Sequence, residues 1–446
     1  EEILNNKLSK EKKFVWIKRN ISPKEHQKII DLGEIHLRIH NENKRIYPYQ
    51  NVASHIVGYV NIDENGQAGI ERSFNEKLIE SKDVHLTIDI NLQQSVRDKL
   101  KETIELYRAE SGLALIMDIS NGNLLSSVSY PDFNPNDNLT FNDKNLINRV
   151  FQSNYEMGST FKPLTVAMGF DKGIIDPKMT FNVKKKIKGI GDYNNYKGDG
   201  IYNVKKIIIE SSNIGTAKIA SLIGKKNQID FFKKIGFYDK VDIEILESAK
   251  PLGNKNHWGD VETMTIGYGH GFAVTPLHLA KAYGTIANNG NEVKPTIVRN
   301  NKNNKKNNLI VKEKTSKYFL HLLKSVVTET EFTGPRVKID GYNLGGKTGT
   351  AILINKEGGY YNDRDLTSFI SIFPINEPKY LVLTVVEYPK KIKGSNQKTT
   401  GAVVNAPLVK NIILEMIKIL KIPKFESENI LNADINKFYK KYYVSL

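Results

Sequence analysis

Residues 155–163 read YEMGSTFKP, and the organisation of the whole chain can be worked out from this segment. Gly158 precedes Ser159, and a helical pattern follows, so Ser159 should lie at or near a helix N-terminus. Backbone N–H groups there lack intrahelical partners, and the helix dipole favours negative charge. Lys162 follows three residues later, over the same helical face. The segment therefore predicts a serine with an amine beside it at the start of a helix.

Two further segments complete a pattern of three. SSN at 211–213 and KTGT at 347–350 follow in the order S-x-x-K, S-x-N, K-T-G that serine acyl-transfer enzymes carry. A serine hydroxyl is a poor nucleophile until a neighbouring base takes its proton. Lys162 can be that base only if burial or a second cation lowers its pKa, and Lys347 is the candidate cation.

The other motif residues have predicted roles in the same chemistry. Ser211 would relay a proton between Lys162 and the leaving group, and Asn213 would donate a hydrogen bond to a substrate amide carbonyl. A strand edge formed by Lys347, Thr348, Gly349 and Thr350 suits a substrate carboxylate. The backbone N–H groups of Ser159 and Thr350 could form an oxyanion hole, which is often worth about 3 kcal/mol per donor.

A competing motif overlaps the third segment. Residues 341–348, GYNLGGKT, match the P-loop pattern G-x-x-x-x-G-K-[ST], which predicts a nucleotide-binding protein. A P-loop must continue directly into a helix whose N-terminus holds the phosphates. Here Gly349 and the apolar run 350–354 predict a strand and a hairpin instead. We therefore expect an anion-binding strand and keep the P-loop as a remote alternative.

Composition excludes several classes of protein. The net charge is +16, but the lysines are scattered rather than grouped with aromatic residues, so no nucleic-acid partner is expected. The absence of cysteine excludes disulfides and thiolate catalysis. The sequence has no run of about 18 consecutive apolar residues, the length that a membrane-spanning helix requires. The chain starts at Glu1 without a Met or a signal segment, so we expect a further N-terminal part of the protein to precede it.

The 446 residues predict two or three domains, which we divide as 1–84, 85–420 and 421–446. The fold class expected is α/β (α+β), an antiparallel sheet flanked by helices with an all-helical segment inserted between its early and late strands. Strands are predicted at Glu34–His40, Val84–Ile90, Leu113–Ile119, Leu124–Tyr130, Gly346–Ile354, Thr367–Phe373 and Tyr380–Glu387. Helices are predicted at Asn91–Glu110, Phe161–Lys172, Val204–Ser212, Gly215–Ile223, Pro276–Asn288 and Ala402–Leu420. The Asn/Lys run 300–308 predicts a solvated loop.

The three motifs, taken with several other segments, resemble the penicillin-binding proteins, and within them class B transpeptidases of the cell-division type (penicillin-binding protein 3-like). SSNIG at 211–215, YGHG at 268–271 with VTPL at 274–277, LTID at 86–89, and RIYP at 45–48 with HIVGY at 55–59 carry this resemblance. It extends from about residue 14 to 420. The family usually begins with one membrane-spanning helix and an R-G-x-I-x-D-R segment, neither of which occurs here, and Met157 stands where proline is usual.

The resemblance implies both a fold and a reaction. The fold is a penicillin-binding/β-lactamase-like transpeptidase domain at 85–420, preceded at 1–84 by the C-terminal part of a pedestal domain. Ser159 would attack the carbonyl between the two D-alanines of a peptidoglycan stem peptide, and an amine from a neighbouring stem peptide would resolve the acyl-enzyme. β-Lactams would acylate Ser159 and stay. No metal or organic cofactor is implied.

The resemblance also implies substrates, a partner and a location in the cell. The substrates would be stem peptides on lipid-linked glycan strands, and the partner a membrane glycosyltransferase of the division machinery. The protein would sit at the bacterial inner membrane through a single-pass anchor outside this chain, with its catalytic domain on the periplasmic side. Two alternatives keep the same chemistry: an elongation-type class B transpeptidase, and a β-lactamase or penicillin sensor. A non-catalytic scaffold is disfavoured by the intact motif residues.

Overall fold

The computed structural model describes residues 5–6, 9, 14–185, 187–192, 197–253, 258–299, 308–354 and 360–424. A five-stranded antiparallel sheet lies at its centre, with strand order β2-β1-β7-β6-β5. The strands of this sheet are β1 (Ser111–Asp118), β2 (Leu124–Tyr130), β5 (Gly345–Ile354), β6 (Tyr360–Phe373) and β7 (Tyr380–Glu387). A small hairpin consists of β3 (Thr180–Asn182) and β4 (Ile201–Asn203). Strands from early and late sequence thus meet in one sheet, as predicted.

The described residues form fifteen α-helices in addition to the strands. They are α1 (Pro23–Asp31), α2 (Ser54–Val57), α3 (Gly69–Ser73), α4 (Asn75–Ile79), α5 (Ile90–Leu106), α6 (Asp143–Leu146), α7 (Arg149–Gln152), α8 (Lys162–Asp171), α9 (Val204–Ile209), α10 (Asn213–Ile235), α11 (Asp260–Gly267), α12 (Pro276–Ala287), α13 (Glu313–Thr328), α14 (Gly334–Val337) and α15 (Gly401–Ile419). Helix α10 bends at Gly224, whose φ is 76°. The same part of the chain contains two 3₁₀ turns, at Asn138–Thr140 and Gly158–Phe161.

The sheet separates two hydrophobic layers, because successive side chains of a central strand such as β1 contact opposite layers. Ala114 and Ile116 pack with the apolar sides of α5 and α15, whereas Leu113, Leu115 and Met117 face the helical middle of the chain. Successive side chains of a strand point to opposite faces, so a strand in the middle of the sheet must be apolar throughout. All eight residues of β1 are buried. The helices from α8 to α13 form the layer on this second face, and the first two motifs lie in this layer.

Most predicted elements are confirmed, with ends that shift by a few residues. The β1–β2 turn is one example: the Asp118 carboxylate accepts the Ser120 N–H at 2.9 Å, and Gly122 has a φ of 80°. The strand predicted at Val84–Ile90 is wrong. Leu86 makes only an isolated bridge to Val298, and Asp89 caps α5 by accepting the N–H groups of the next helical turn. A helix cap forms here in place of a strand end because the Asp89 carboxylate satisfies backbone N–H groups of α5 that have no other partner.

One further expectation needs correction, and one long helix was not predicted. The strand predicted at Glu34–His40 is wrong: these residues form a turn and irregular backbone, and Ile35 is 84% exposed. Alternating apolar and polar residues do not form a strand when no neighbouring strand offers backbone hydrogen bonds. Helix α13 was not predicted; its long buried side packs against α8 and β5.

Other expectations concern segments that the structure describes only in part. Residues 300–307 of the Asn/Lys run and 425–446 of the tail lie outside the described residues. The division at 84 and 420 stays a prediction. Residues before 84 contact the rest of the chain through His55 Nε2 and the Asn145 carbonyl (2.6 Å), and through the Gly69 N–H and Glu247 (3.0 Å). Among the described helices, none combines the length and apolarity needed to cross a bilayer.

Candidate active site

Ser159 lies in the 3₁₀ turn Gly158–Phe161, which runs directly into α8. Gly158 has a φ of 51°, and a Cβ at this position would lie 3.0 Å from the Thr350 carbonyl oxygen, so glycine suits both the turn and the close approach of β5. Pro163 sits in the first turn of α8, where its lack of an N–H costs nothing. The predicted helix start at Ser159 is confirmed.

Three contacts from distant parts of the chain hold this turn. The Gly158 N–H donates to the Gly269 carbonyl at 3.1 Å. The Tyr283 hydroxyl donates to the Thr160 carbonyl at 2.6 Å, and Tyr283 is fully buried. The backbone of Tyr155 pairs with that of Val274. The segments YGHG and VTPL thus support the turn that carries the serine, although neither supplies a motif residue.

The Lys162 amine is fully buried and points at Ser211. Lys162 Nζ donates to the Ser211 carbonyl and lies 3.1 Å from the Ser211 hydroxyl oxygen. Ser211 follows α9 and adopts a φ of 55°, a left-handed conformation that is uncommon outside glycine. Strained backbone of this kind is held by its surroundings and clusters at functional sites. It turns both oxygens of Ser211 toward the lysine.

Lys347 approaches the same hydroxyl from β5. Its Nζ lies 3.0 Å from Ser211 Oγ and 3.1 Å from the Thr348 carbonyl oxygen, and the residue is 2% exposed. A hydroxyl has two acceptor lone pairs and one donor, so Ser211 can accept from both amines and keep its own proton for a third group. The three motifs, predicted to meet from sequence, are brought together at this one oxygen.

Burial controls the charge on both lysines. Burial, with the nearby charge of Lys347 as a smaller cause, holds the pKa of Lys162 well below its usual range, against an opposing effect of Asp192. Burial lowers the pKa of Lys347 to about 7. Burial and a second cation were the two causes expected from sequence, with Lys347 as the cation; in the structure both lower the pKa of Lys162, and loss of solvation is the larger cause. A neutral Lys162 can accept a proton at ordinary pH.

Strand β5 packs closely against the turn that carries Ser159. A Cβ on Gly349 would lie 2.9 Å from the Met157 carbonyl oxygen and 2.4 Å from Ser368 Oγ, so only glycine lets the two segments approach this closely. The Thr350 hydroxyl accepts the Gly401 N–H at 3.2 Å. Thr348 is partly exposed beside Lys347. Because β5 runs on as a strand to Ile354, with no helix after Lys347, the P-loop alternative fails its structural requirement.

Asn213 is the first residue of α10, rather than part of a loop between two helices. Its side-chain amide donates to the Gly191 carbonyl at 2.9 Å and retains a second N–H. Ser212 caps the helix and also donates to the Asp192 carboxylate at 2.8 Å, while Asp192 accepts the Ile214 N–H at 3.0 Å. Asp192 therefore anchors the second motif. No sequence signal indicated it, because it lies about twenty residues upstream in irregular backbone.

The structure brings together Lys162, Ser211 and Lys347, with Ser159 one helical turn from Lys162. Among the described residues, no hydrogen bond joins the Ser159 hydroxyl to the Lys162 amine. Catalytic hydrogen bonds are often loose in the absence of substrate and tighten when it binds. Ser159 is partly exposed, as a nucleophile must be. The site thus consists of a partly exposed serine, one helical turn from a buried amine that shares a hydroxyl with a second buried amine.

Residues 112–414 match the family described as the penicillin binding protein transpeptidase domain. The chain belongs to this family. It is similar to the probable peptidoglycan D,D-transpeptidase FtsI of Caulobacter vibrioides, with 30% identity over 434 residues that cover 93% of this chain and 73% of the relative. It is also 26% identical to peptidoglycan D,D-transpeptidase FtsI of Escherichia coli, over 96% of this chain and 75% of that one.

Solved structures of penicillin-binding proteins have the same fold. The apo transpeptidase domain of Burkholderia pseudomallei penicillin-binding protein 3 superposes with a TM-score of 0.64 at 26% identity, covering 76% of this chain and 97% of that one. Penicillin-binding protein 3 of Mycobacterium tuberculosis in complex with aztreonam has a TM-score of 0.76 at 24% identity, over 86% of this chain and 92% of that one. The predicted fold class, a sheet with an inserted helical segment, is confirmed.

Proposed function

We propose that the protein is a cell-division-type serine D,D-transpeptidase that crosslinks peptidoglycan stem peptides through an acyl-enzyme on Ser159. Membership of the transpeptidase family and similarity to FtsI proteins support the reaction class. The observation that carries the assignment of residues is the buried Lys162 amine, which lies one helical turn from Ser159 and shares the Ser211 hydroxyl with Lys347. An amine in this setting has lost solvation and can act as a base.

In acylation, the Ser159 oxygen forms a bond to the carbonyl carbon between the two D-alanines, and its proton passes to Lys162. The backbone N–H groups of Ser159 and Thr350 would stabilise the resulting oxyanion. The C–N bond then breaks, and the proton returns from Lys162 through Ser211 to the departing D-alanine. The two acceptor positions and the single donor of the Ser211 hydroxyl suit this relay.

The remaining motif residues would bind substrate. Lys347, Thr348 and Thr350 line the β5 edge and would hold the terminal carboxylate, and Gly349 lets that edge approach the serine. The free N–H of the Asn213 amide would donate to a carbonyl of the stem peptide. In the second half-reaction an amine of a neighbouring stem peptide forms the new amide bond and releases Ser159. A β-lactam would acylate Ser159 in the same manner and leave slowly.

We also propose a partner and a location. The partner would be a membrane glycosyltransferase of the division machinery, contacting residues before 84, where Leu32 and Ile35 are 71% and 84% exposed. Exposed apolar residues in one region are a usual feature of protein contact sites. The catalytic domain would act on the periplasmic side of the bacterial inner membrane, where its polymeric substrate lies.

Gel labelling with a fluorescent penicillin tests the assignment. We expect stoichiometric, slowly released labelling of the wild-type chain and none of Ser159→Ala. Thr160→Ser, which changes the neighbouring hydroxyl residue, serves as the control and should still label. Labelling that survives Ser159→Ala would refute the nucleophile. Release of hydrolysed antibiotic within seconds would favour a β-lactamase over a transpeptidase.

A further inference from the structure

Asp192 contacts the second motif from a separate part of the chain. One oxygen of its half-buried carboxylate accepts the Ser212 hydroxyl at 2.8 Å, and the other accepts the Ile214 N–H at 3.0 Å. The preceding carbonyl, that of Gly191, accepts the Asn213 amide at 2.9 Å. Residues 212–214 are thus held by two consecutive residues that lie about twenty positions upstream.

Ser211 lies between two fixed points of the backbone. Before it, the last turn of α9 accepts the Ser211 N–H at the Ile208 carbonyl, at 3.2 Å. After it, Ser212 is 2% exposed, and its hydroxyl accepts the Gly215 N–H at 2.9 Å while donating to Asp192. A positive φ outside glycine persists only when the surroundings hold it. The φ of 55° at Ser211 is therefore maintained from both sides.

This backbone conformation decides whether the oxygens of Ser211 reach the lysines. The Ser211 carbonyl accepts from Lys162, and the hydroxyl oxygen lies 3.1 Å from the Lys162 amine and 3.0 Å from the Lys347 amine. Hydrogen bonds to oxygen have a narrow range of length, so a displacement of about 1 Å would break both contacts of the hydroxyl. A residue that holds Ser212 in place therefore also holds the proposed proton relay.

Asp192 acts on the same group of side chains through its charge. Burial and the charge of Lys347 lower the pKa of Lys162, whereas the charge of Asp192 raises it. The carboxylate also lies at the N-terminus of the long helix α10, where it offsets the positive end of the helix dipole. Removal of this charge should therefore favour the neutral form of Lys162 and extend it to lower pH.

We propose that Asp192 is a positioning residue of the acyl-transfer reaction: through Ser212 and the first turn of α10, its carboxylate holds the Ser211 hydroxyl between the two buried amines. The proposal rests on the transpeptidase function proposed above. None of the three sequence motifs includes this aspartate, and its effect on the nucleophile passes through the second motif. A carboxylate suits the position because it offers an oxygen to each of two donors.

The experiment compares two replacements of this aspartate. Asp192→Ala removes both acceptor oxygens, whereas Asp192→Asn keeps one oxygen for the Ile214 N–H and removes the charge. The second-order rate constant of acylation by a fluorescent penicillin is measured per titrated active site from pH 5 to 9, together with the free energy of unfolding in urea. Asp199→Asn is the matched control, since this exposed aspartate also accepts a backbone N–H, that of Ile201.

The two replacements should differ in what they change. At the optimal pH we expect Asp192→Ala to slow acylation by about tenfold to hundredfold, the effect of misplacing a reacting group by about 1 Å. Asp192→Asn should slow it by only about threefold, because one acceptor oxygen remains. In this variant the acidic limb of the pH profile should also move to lower pH, by about 0.5 unit or more. The control should match the wild-type protein in rate and in profile.

A double variant tests the route through the neighbouring serine. If the carboxylate acts through the Ser212 hydroxyl, Asp192→Ala combined with Ser212→Ala should be little slower than the slower of the two single variants. Rate losses that multiply would mean that the two residues act independently, and they would overturn the proposal.

A purely structural role gives a different result. If Asp192→Ala lowered the free energy of unfolding while its folded fraction was acylated at the wild-type rate, the aspartate would support only the fold and the proposal would be wrong. If Asp192→Ala does not fold, Asp192→Asn decides: an unchanged rate together with an unmoved acidic limb would refute the proposal. Absence of labelling in the wild-type protein would instead refute the proposed function.

Discussion

The two faces of the central sheet are covered by layers of different character. On one face, α5 and α15 pack mainly through aliphatic side chains such as Val96 and Ile413, both fully buried. On the other, α8 carries the fully buried Lys162, and Lys347 of β5 is buried beside it. Burying an amine costs free energy, whereas burying a methylene stabilises the fold. Both faces therefore stabilise the fold through buried apolar side chains, but the second also gives up part of that stability to bury two amines.

Replacement of the buried amine should give the largest effect. In Lys162→Met we expect the rate of acylation by a fluorescent penicillin to fall by about a hundredfold to ten-thousandfold, the usual contribution of a general base. The free energy of unfolding in urea should stay the same or rise, since a desolvated amine is replaced by an apolar chain of similar volume. Lys172→Met, at the exposed end of α8, is the control. A fall of less than tenfold would mean that Lys162 is not the base.

A substitution on the apolar face of the sheet should lower stability and leave the acylation rate unchanged. Ile413→Ala should lower the free energy of unfolding by about 2–5 kcal/mol, because a fully buried side chain leaves a cavity between α15 and the sheet. The acylation rate of the folded protein should be unchanged. Asn411→Ala, at an exposed position of the same helix, should change neither quantity. If Ile413→Ala slowed acylation in folded protein, the separation of the two faces would be wrong.

Gly349→Ala tests how closely the site face is packed. The added Cβ would clash with Ser368 Oγ and the Met157 carbonyl oxygen, so β5 must move away from the nucleophile turn. We expect a loss of about 1–3 kcal/mol in stability and of about tenfold to hundredfold in acylation rate. Gly191→Ala is the matched control, since its Cβ would meet no atom within 4 Å. Equal behaviour of the two variants would contradict the close approach seen in the structure.

The smallest expected effect is the dependence of the free energy of unfolding on pH. The pKa of Lys347 is lowered to about 7, so between pH 7 and about 10.4 the unfolded chain holds a proton that the folded chain has lost. The free energy of unfolding should therefore rise with pH across this window, by at most about 1.4 kcal/mol per pH unit for this group. Lys347→Met should flatten the slope. Urea unfolding at pH 7, 8 and 9 measures it, and an equal slope in both proteins would contradict a depressed pKa.

Local signals explain why much of the site was predictable. Gly158 before a helical pattern predicted the serine turn, and the apolar run after Lys347 decided between a strand and a P-loop. The strands at Leu113–Ile119 and Tyr380–Glu387 were found because a central strand is apolar on both faces. The prediction at Val84–Ile90 failed because the capping preference of Asp89 outweighed a short apolar pattern. Helix α13 was missed for a different reason: its amphipathic pattern is present in the sequence and was not recognised.

The sequence by itself predicted the reacting groups and located most of the strands along the chain, because turns, caps and periodicity depend on nearby residues. Tertiary structure decided the state of those groups. Ser211 meets Lys162 and Lys347 only because a left-handed residue after α9 faces β5. Asp192 and Tyr283 likewise contact the motifs across long separations in sequence. A pKa depends on solvation and on charges through space, and both are fixed only when distant segments pack together.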